Sequence, residues 1–217
     1  MRQKEIVKFN RMWCKSYIQS CHNRKDLKGY RVFLSGPGGT GKSYVIQLIQ
    51  RDIRHLLVPV LHPEPEQPLV LLTAPTGTAA FNIDGTTIHS AFSLQGRFSK
   101  AEGAGTTSAE RRWIAENKLE HLKLLVIDEI SMVGRGTFQQ ISSTLGSLKH
   151  KPGEDWGGVC VLAVGDLMQL DPIGQSAVYR DAKIWTPGDM APLLWDDFRF
   201  HELNETVYQK DKQFSVV

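Results

Sequence analysis

Eight residues, Gly36-Pro37-Gly38-Gly39-Thr40-Gly41-Lys42-Ser43, restrict the fold of this chain more than any other stretch. They fit G-x-x-x-x-G-K-[ST], a loop whose backbone N–H groups turn inward around a phosphate. Such a loop works only between a strand and a helix, because the helix N-terminus must aim its partial positive charge at the same phosphate. Both flanks fit. Residues 30–35 read as a short buried strand and residues 43–50 as a helix with one apolar face. Gly36, Gly38, Gly39, Thr40 and Gly41 would form the cradle for ATP. Lys42 would reach its β- and γ-phosphates, and the Ser43 hydroxyl would hold Mg²⁺. A chance glycine-rich turn would not need the Lys-Ser pair or these flanks.

The chain has 217 residues, enough for one α/β domain with at most a small appendage. No apolar run approaches the roughly 18–20 residues that span a bilayer. Residues 1–5 lead into no apolar signal region, so a cytosolic or nuclear setting is the default expectation. Three cysteines with no CxxC or Cys/His spacing argue against a zinc site and suit reduced thiols. The net charge of +3 hides an imbalance, since residues 1–31 hold nine Lys/Arg against two Asp/Glu. That segment reads either as a solvated helix face or as an approach surface for a polyanion.

Residues 3–20 carry Ile6, Phe9, Trp13, Tyr17 and Ile18 at helical spacing, and a polar connector over 20–28 leads to the first strand. Three prolines within 62–68 enforce a loop after the P-loop helix. Residues 93–110, rich in Gly, Ser, Thr and Ala, read as a mobile surface loop. Further strands are predicted at 69–73, 124–127 and 159–164. All are near-continuous apolar runs, the pattern of a parallel sheet covered by helices on both faces. The loops at the carboxyl ends of such strands are where ligands bind.

Asp128-Glu129 closes the strand at 124–127. Asp128 would enter the Mg²⁺ shell and Glu129 would orient and deprotonate the attacking water. An acidic helix cap would explain one carboxylate but not the second. Gln169, in Gly165-Asp166-Leu167-Met168-Gln169-Leu170-Asp171-Pro172, would distinguish ATP from ADP at the γ-phosphate. Thr76 and Gly77, then Thr87 and His89, lie in loops rich in small and hydroxyl residues that suit close approach to a sugar–phosphate chain.

Taken in order, GPGGTGKS, APTGTAA, GTTIHSAF, DEISM and GDLMQLDP resemble the petite-integration-frequency family of 5′→3′ DNA helicases of superfamily one, most closely its Helitron-type branch. The likeness covers roughly residues 30–211 and implies a P-loop NTPase fold of the RecA-like kind. Residues 29–217 would form the first RecA-like domain and residues 1–28 a basic helical segment before it. Lys42, Ser43, Asp128 and Glu129 match the family's hydrolysis residues, Gln169 its motif III glutamine, and Thr76, Gly77, Thr87 and His89 its contacts to single-stranded DNA. Gln3 falls where an adenine-reading glutamine would stand. The implied activity is Mg²⁺-dependent ATP hydrolysis coupled to translocation on single-stranded DNA, in repair, recombination, telomere maintenance or transposition, with the nucleus as the implied setting and mitochondrion or cytoplasm as alternatives. The alternative is a non-catalytic ATP- and DNA-binding remnant.

Two departures from the pattern stand out. Tyr208 occupies the position where the resemblance places a γ-phosphate-contacting arginine, and a phenol supplies no fixed charge. The family also couples hydrolysis to movement through a second RecA-like lobe that these 217 residues do not include, so unwinding by them alone is not expected.

Overall fold

A computed structural model of the chain describes residues 3–23, 26–94, 108–180 and 194–204. Helix α1 (Gln3–Asn23) is followed by β1 (Arg31–Ser35), α2 (Lys42–Leu61), β2 (Val70–Ala74), α3 (Gly77–Asn82), β3 (Thr86–Thr87) and α4 (Ile88–Ala91). Then come α5 (Ser108–Leu119), β4 (Leu124–Ile127), α6 (Arg135–Leu148), β5 (Cys160–Gly165) and β6 (Arg199–Glu202). Among the described residues, no helix is long and apolar enough to cross a membrane.

All pairings in the sheet are parallel, in the order β3-β2-β4-β5-β1-β6. Each residue of β4 and β5 is buried, and successive side chains alternate between two cores. Val32, Leu34, Leu124, Val126, Leu162 and Val164 face α1 and α2, joined there by Ile6, Val45, Ile49, Ile53 and Leu57. Phe33, Leu125, Ile127, Val161 and Ala163 face the other way, against Ile88, Phe138, Ile141 and Leu145. The chain therefore has the α/β, RecA-like P-loop fold, with helices on both faces of a parallel sheet.

Several boundaries differ from the sequence pattern. Helix α2 runs past the predicted 43–50 to Leu61, because Ile53 and Leu57 continue its buried stripe. Pro59 fits in the final turn, which closes with His62 in the left-handed region and its N–H donating to the Val58 carbonyl at 2.9 Å. Helix α1 extends to Asn23, into the predicted connector. It shares its core with α2 through Ile6, Val7 and Cys14, and Arg11 donates twice to Asp52 Oδ2, at 2.7 and 3.0 Å. The predicted loop 93–110 overlaps α5 at its last three residues, and residues 95–107 lie outside the described residues. Tyr208 lies outside them as well.

The sequence pattern gave no sign of β6, whose Arg-Phe-His-Glu is neither apolar nor alternating. An edge strand needs little burial, and here a chain of aromatic rings positions it. Trp156 meets Phe138 with ring centroids 4.7 Å apart, Phe138 meets Phe198 at 5.7 Å, Phe198 stacks on Trp195 at 5.2 Å, and Trp195 meets Phe33 of β1 at 5.0 Å. The backbone bends tightly at Trp156, Gly157 and Gly158, all with positive φ. A Cβ on Gly157 would sit 2.7 Å from the Leu145 carbonyl oxygen and 2.8 Å from Lys149 Cβ.

Replacing Gly157 by Ala is therefore expected to cost about 2–4 kcal/mol, combining left-handed backbone strain with a backbone clash. Gly153→Ala, in the same turn but facing open space, should stay within about 0.5 kcal/mol. Chemical denaturation of the two variants checks this, and equal midpoints would contradict it.

Candidate nucleotide-binding site

The strand order places three loops side by side. Ser35 of β1 pairs with Gly165 of β5, and Ile127 of β4 pairs with Ala163 of β5. The P-loop, Asp128-Glu129 and the loop after Gly165 therefore leave the sheet at one edge, with the β5 loop in the middle. The Gly36 N–H donates to the Gly165 carbonyl at 3.3 Å, tying two of the loops together. A Cβ on Gly165 would lie 3.1 Å from the Ile130 amide nitrogen, so glycine lets β5 pass close behind Glu129.

The P-loop is shaped by its own residues. Gly39 and Gly41 hold positive φ values of 78° and 84°, which glycine adopts at no steric cost. The buried Thr40 donates from Oγ1 to the Pro37 carbonyl at 2.9 Å, closing the loop. A Cβ on Gly36 would meet Thr40 Oγ1 at 2.8 Å and the Leu203 carbonyl oxygen at 2.9 Å, whereas one on Gly38 would meet nothing within 4 Å. The loop is thus packed from behind and open in front. Helix α2 begins after Gly41 without a side-chain cap, and its first intrahelical bond runs from the Val45 N–H to the Gly41 carbonyl at 3.1 Å. The N–H groups of its first turn remain available to an anion. The Lys42 ammonium lies across the loop, donating to the Gly36 and Pro37 carbonyls at 2.6 and 3.1 Å. Ser43 is exposed at the same helix start.

Asp128 and Glu129 follow β4 at a sharp turn. Glu129 has φ 49° and ψ 48°, a left-handed conformation uncommon for a residue with a side chain. The turn is held by the Asp128 N–H donating to the Thr73 carbonyl at 2.9 Å, by the Glu129 N–H donating to Asp128 Oδ1 at 3.0 Å, and by the Met132 N–H donating to the Glu129 carbonyl at 3.1 Å. Burial pushes the Asp128 carboxyl up to about 6. The Glu129 N–H and the Lys42 ammonium pull the other way, and the Glu129 charge adds to the rise.

The structure gathers most, not all, of the predicted site. Gln3, in the first turn of α1, donates from Nε2 to the Thr40 carbonyl at 2.8 Å and so touches the P-loop directly. Gln169 sits on an exposed turn in which its own N–H donates to the Asp166 carbonyl at 3.1 Å. Among the described residues, no side-chain hydrogen bond joins it to Lys42, Asp128 or Glu129. Its loop is pinned at the far end, where the Arg135 N–H donates to the Ser176 carbonyl at 2.8 Å. Thr76 and Thr87 cap α3 and α4, accepting from the Ala79 and Ser90 N–H groups at 3.2 Å each. Gly77 faces open space and His89 is exposed.

Two residues of this edge carried no motif signal. Thr73, fully buried in an otherwise aliphatic strand, donates from Oγ1 to the Val126 carbonyl at 2.7 Å while its own carbonyl holds the Asp128 N–H. Its hydroxyl among leucines was the only clue. Phe81, four residues after Gly77 and so on the same face of α3, is 81% exposed, which no periodicity foretells.

The family profile described as PIF1-like helicase matches residues 11–216. An ATP-dependent DNA helicase PIF1 of Emericella nidulans is 31% identical over 190 residues, 87% of this chain and 24% of that protein. The human ATP-dependent DNA helicase PIF1 is 34% identical over 150 residues, 69% of this chain and 21% of that protein. The chain thus spans about a quarter or less of these relatives' length. Among solved structures, a Pif1 helicase from Candida albicans superposes with TM-score 0.59 at 26% identity, covering 92% of this chain and 41% of that one. A Bacteroides Pif1 helicase in complex with ADP-AlF3 and ssDNA gives TM-score 0.57 at 25% identity, over 91% and 43%.

Asp128→Asn tests the electrostatics of this edge. A carboxyl raised from 3.8 to about 6 on folding binds its proton more tightly in the folded chain. The folded state therefore loses stability as pH rises from about 4 to about 6 and keeps that deficit above it. The asparagine keeps an acceptor for the Glu129 N–H and has no charge to bury. In metal-free buffer at pH 7–8 it is expected to be about 1–3 kcal/mol more stable than the parent, and equal to it near pH 4. Thermal melts across pH decide, and an advantage independent of pH would refute the assignment.

Proposed function

The chain belongs to the PIF1-like helicase family, and on that premise we propose that it is the first RecA-like motor lobe of an ATP-dependent DNA helicase. Residues 29–217 would form the lobe, with the helical segment 1–28 docked on it. The observation that carries this reading is the convergence of the P-loop, Asp128-Glu129 and the β5 loop on one sheet edge.

The residues present fit Mg-ATP. The cradle is open in front of Gly38, the first turn of α2 offers free N–H groups, a cation and a hydroxyl stand at that helix start, and two carboxylates leave the same sheet edge. When bound, Mg-ATP supplies the γ-phosphoryl bond to be cleaved and a divalent charge beside it. Lys42 would exchange its two carbonyl partners for phosphate oxygens. The Ser43 hydroxyl and the Asp128 carboxylate would hold the metal, with Lys42 helping to keep Asp128 ionised. Glu129 would accept the proton of the attacking water, and Gln169 would donate its amide toward the γ-phosphate. Gln3 anchors Nε2 on Thr40, which leaves Oε1 to accept from the amino group of an adenine.

Single-stranded DNA would lie over α3 and α4 on the same edge. The Thr76 and Thr87 hydroxyls accept from their helices, so each keeps its proton for a phosphate oxygen. Gly77 admits a backbone, His89 adds a donor, and the Phe81 ring offers a stacking platform. The same family membership supports 5′→3′ movement on DNA in the nucleus, in repair, recombination, telomere maintenance or transposition.

Single-turnover ATP hydrolysis with and without single-stranded DNA tests the proposal. Lys42→Ala and Glu129→Gln are each expected to lower the rate by about 10²–10⁴, with Glu129→Gln still binding nucleotide. A parent rate no higher than that of Lys42→Ala would rule out a motor and leave a binding module. Phe81→Ala is expected to weaken single-stranded DNA binding by about 1–3 kcal/mol and leave nucleotide affinity intact. Unchanged DNA affinity would remove Phe81 from the strand's path.

A further inference from the structure

Helices α1 and α2 bring their positive charge onto one shared outer face. At about 100° per residue, Lys4, Lys8, Arg11 and Lys15 occupy one flank of α1, while Glu5, Met12 and Ser16 take the other. The Arg11–Asp52 pair shows which flank this is: the one turned toward α2. On α2 the outward stripe contains Gln47, Arg51, Arg54, His55 and Val58, which line a shallow depression of about 530 Å³. Asp52 is the only acid in α2 and Glu5 the only acid in α1. Asp52 is already neutralised by Arg11, and Glu5 lies on the far flank. Among the described residues, Lys8, Lys15, Arg51 and Arg54 make no salt bridge.

The face has a size and a chemistry that select its occupant. Lys4 to Lys15 and Gln47 to Val58 each run about 16 Å along a helix, and packed helix axes lie about 8–10 Å apart. About 16 Å of duplex axis carries about five phosphates per strand, at about 3.4 Å of axial rise each, and those turned toward the protein lie within the length and width of the strip. Within it Gln47 and Gln50 add amide donors of the kind that bind phosphate oxygens. The strip between Gln47 and Val58 has no Phe, Tyr or Trp on which unstacked bases could lie, and His55 is its single ring. It is equipped to hold a backbone and not to read or stack bases.

We propose that the α1–α2 face is a second DNA-docking surface, one that grips the phosphate backbone of double-stranded DNA without regard to sequence. It is separate from the loop edge at which the single strand is placed above, and it does not require hydrolysis. The occupant is a duplex because cations on two helices about 8–10 Å apart can reach the backbones on both sides of a minor groove about 6 Å wide, with no base splayed out.

The test uses the 217-residue chain and a variant carrying Lys8→Gln, Lys15→Gln, Arg51→Gln and Arg54→Gln, none of which touches the nucleotide loops. Binding of a blunt-ended duplex is followed by fluorescence anisotropy from about 50 to 200 mM salt. The variant is expected to bind duplex at least about tenfold more weakly, with the slope of log affinity against log salt reduced by roughly 3–4. Its affinity for a short single strand and for Mg-ATP should match the parent's, and the matching nucleotide affinity also reports an intact fold. Unchanged duplex affinity and slope, an equal fall in single-strand binding, or a parent that does not bind duplex at 50 mM salt would each overturn the proposal. Loss of ATP hydrolysis in the parent would count against the motor reading alone.

Discussion

Strand β5 is buried on both faces, and the rest of the molecule is arranged around that fact. A strand with no polar side needs a sheet covered on both faces, which a parallel sheet with helices above and below supplies; here β1 and β4 flank it and α1, α2 and α6 cover it. Parallel neighbours end at one edge. The register then sets the P-loop and Asp128-Glu129 on either side of Gly165. The chemistry of the edge is thus a consequence of apolar burial several residues away, and glycine at 165 lets the strand end without pushing Glu129 aside.

The same burial creates the electrical problem that the site's polar groups answer. Asp128 leaves a fully apolar strand and would resist ionisation there. The Glu129 amide and the Lys42 ammonium offset part of that cost, and Thr73 holds the backbone that directs them. A carboxylate kept ionised against its surroundings has a strong preference for a cation. A divalent ion would relieve the burial cost and the repulsion from Glu129 together. The left-handed backbone at Glu129 belongs to the same arrangement, because strain of this kind persists only where neighbouring contacts over-determine the conformation.

Much of this was legible before any coordinates. The P-loop flanks, the apolar runs of β1, β2, β4 and β5, and the acidic pair after β4 all announce themselves, since burial on two faces writes a continuous apolar run and phosphate binding writes glycines. What escaped was written in contacts between distant residues. β6 has no pattern of its own and depends on Trp195, Phe198, Phe138 and Trp156 to hold it beside β1. Thr73 looked like the end of a strand, and Phe81 follows a stretch read as a loop in which only Thr76 and Gly77 carried a signal. The far end of α2 went unread because the sequence pattern carried the helix only to residue 50; Pro59 removes one bond, to the His55 carbonyl, and the buried Ile53 and Leu57 hold the helix through it. Gln169 shows the opposite case, a motif residue that the backbone leaves on an exposed turn.

Helix α1 joins two of these themes. Its buried side belongs to the core of the lobe, its first turn touches the P-loop through Gln3 and Thr40, and its basic flank adjoins α2. The helix that follows the P-loop is therefore braced along much of its length by a segment that looks like a separate basic tail in the sequence. The Arg11–Asp52 pair has two effects: it fastens the helices and it removes the one acid that would oppose an anion on that face. A charged residue that serves packing in this way leaves its neighbours unpaired. Lys4, Lys8 and Lys15 therefore stand together on one flank of a docked helix, and a duplex held there would press on the element that carries Lys42 and Ser43 at its start.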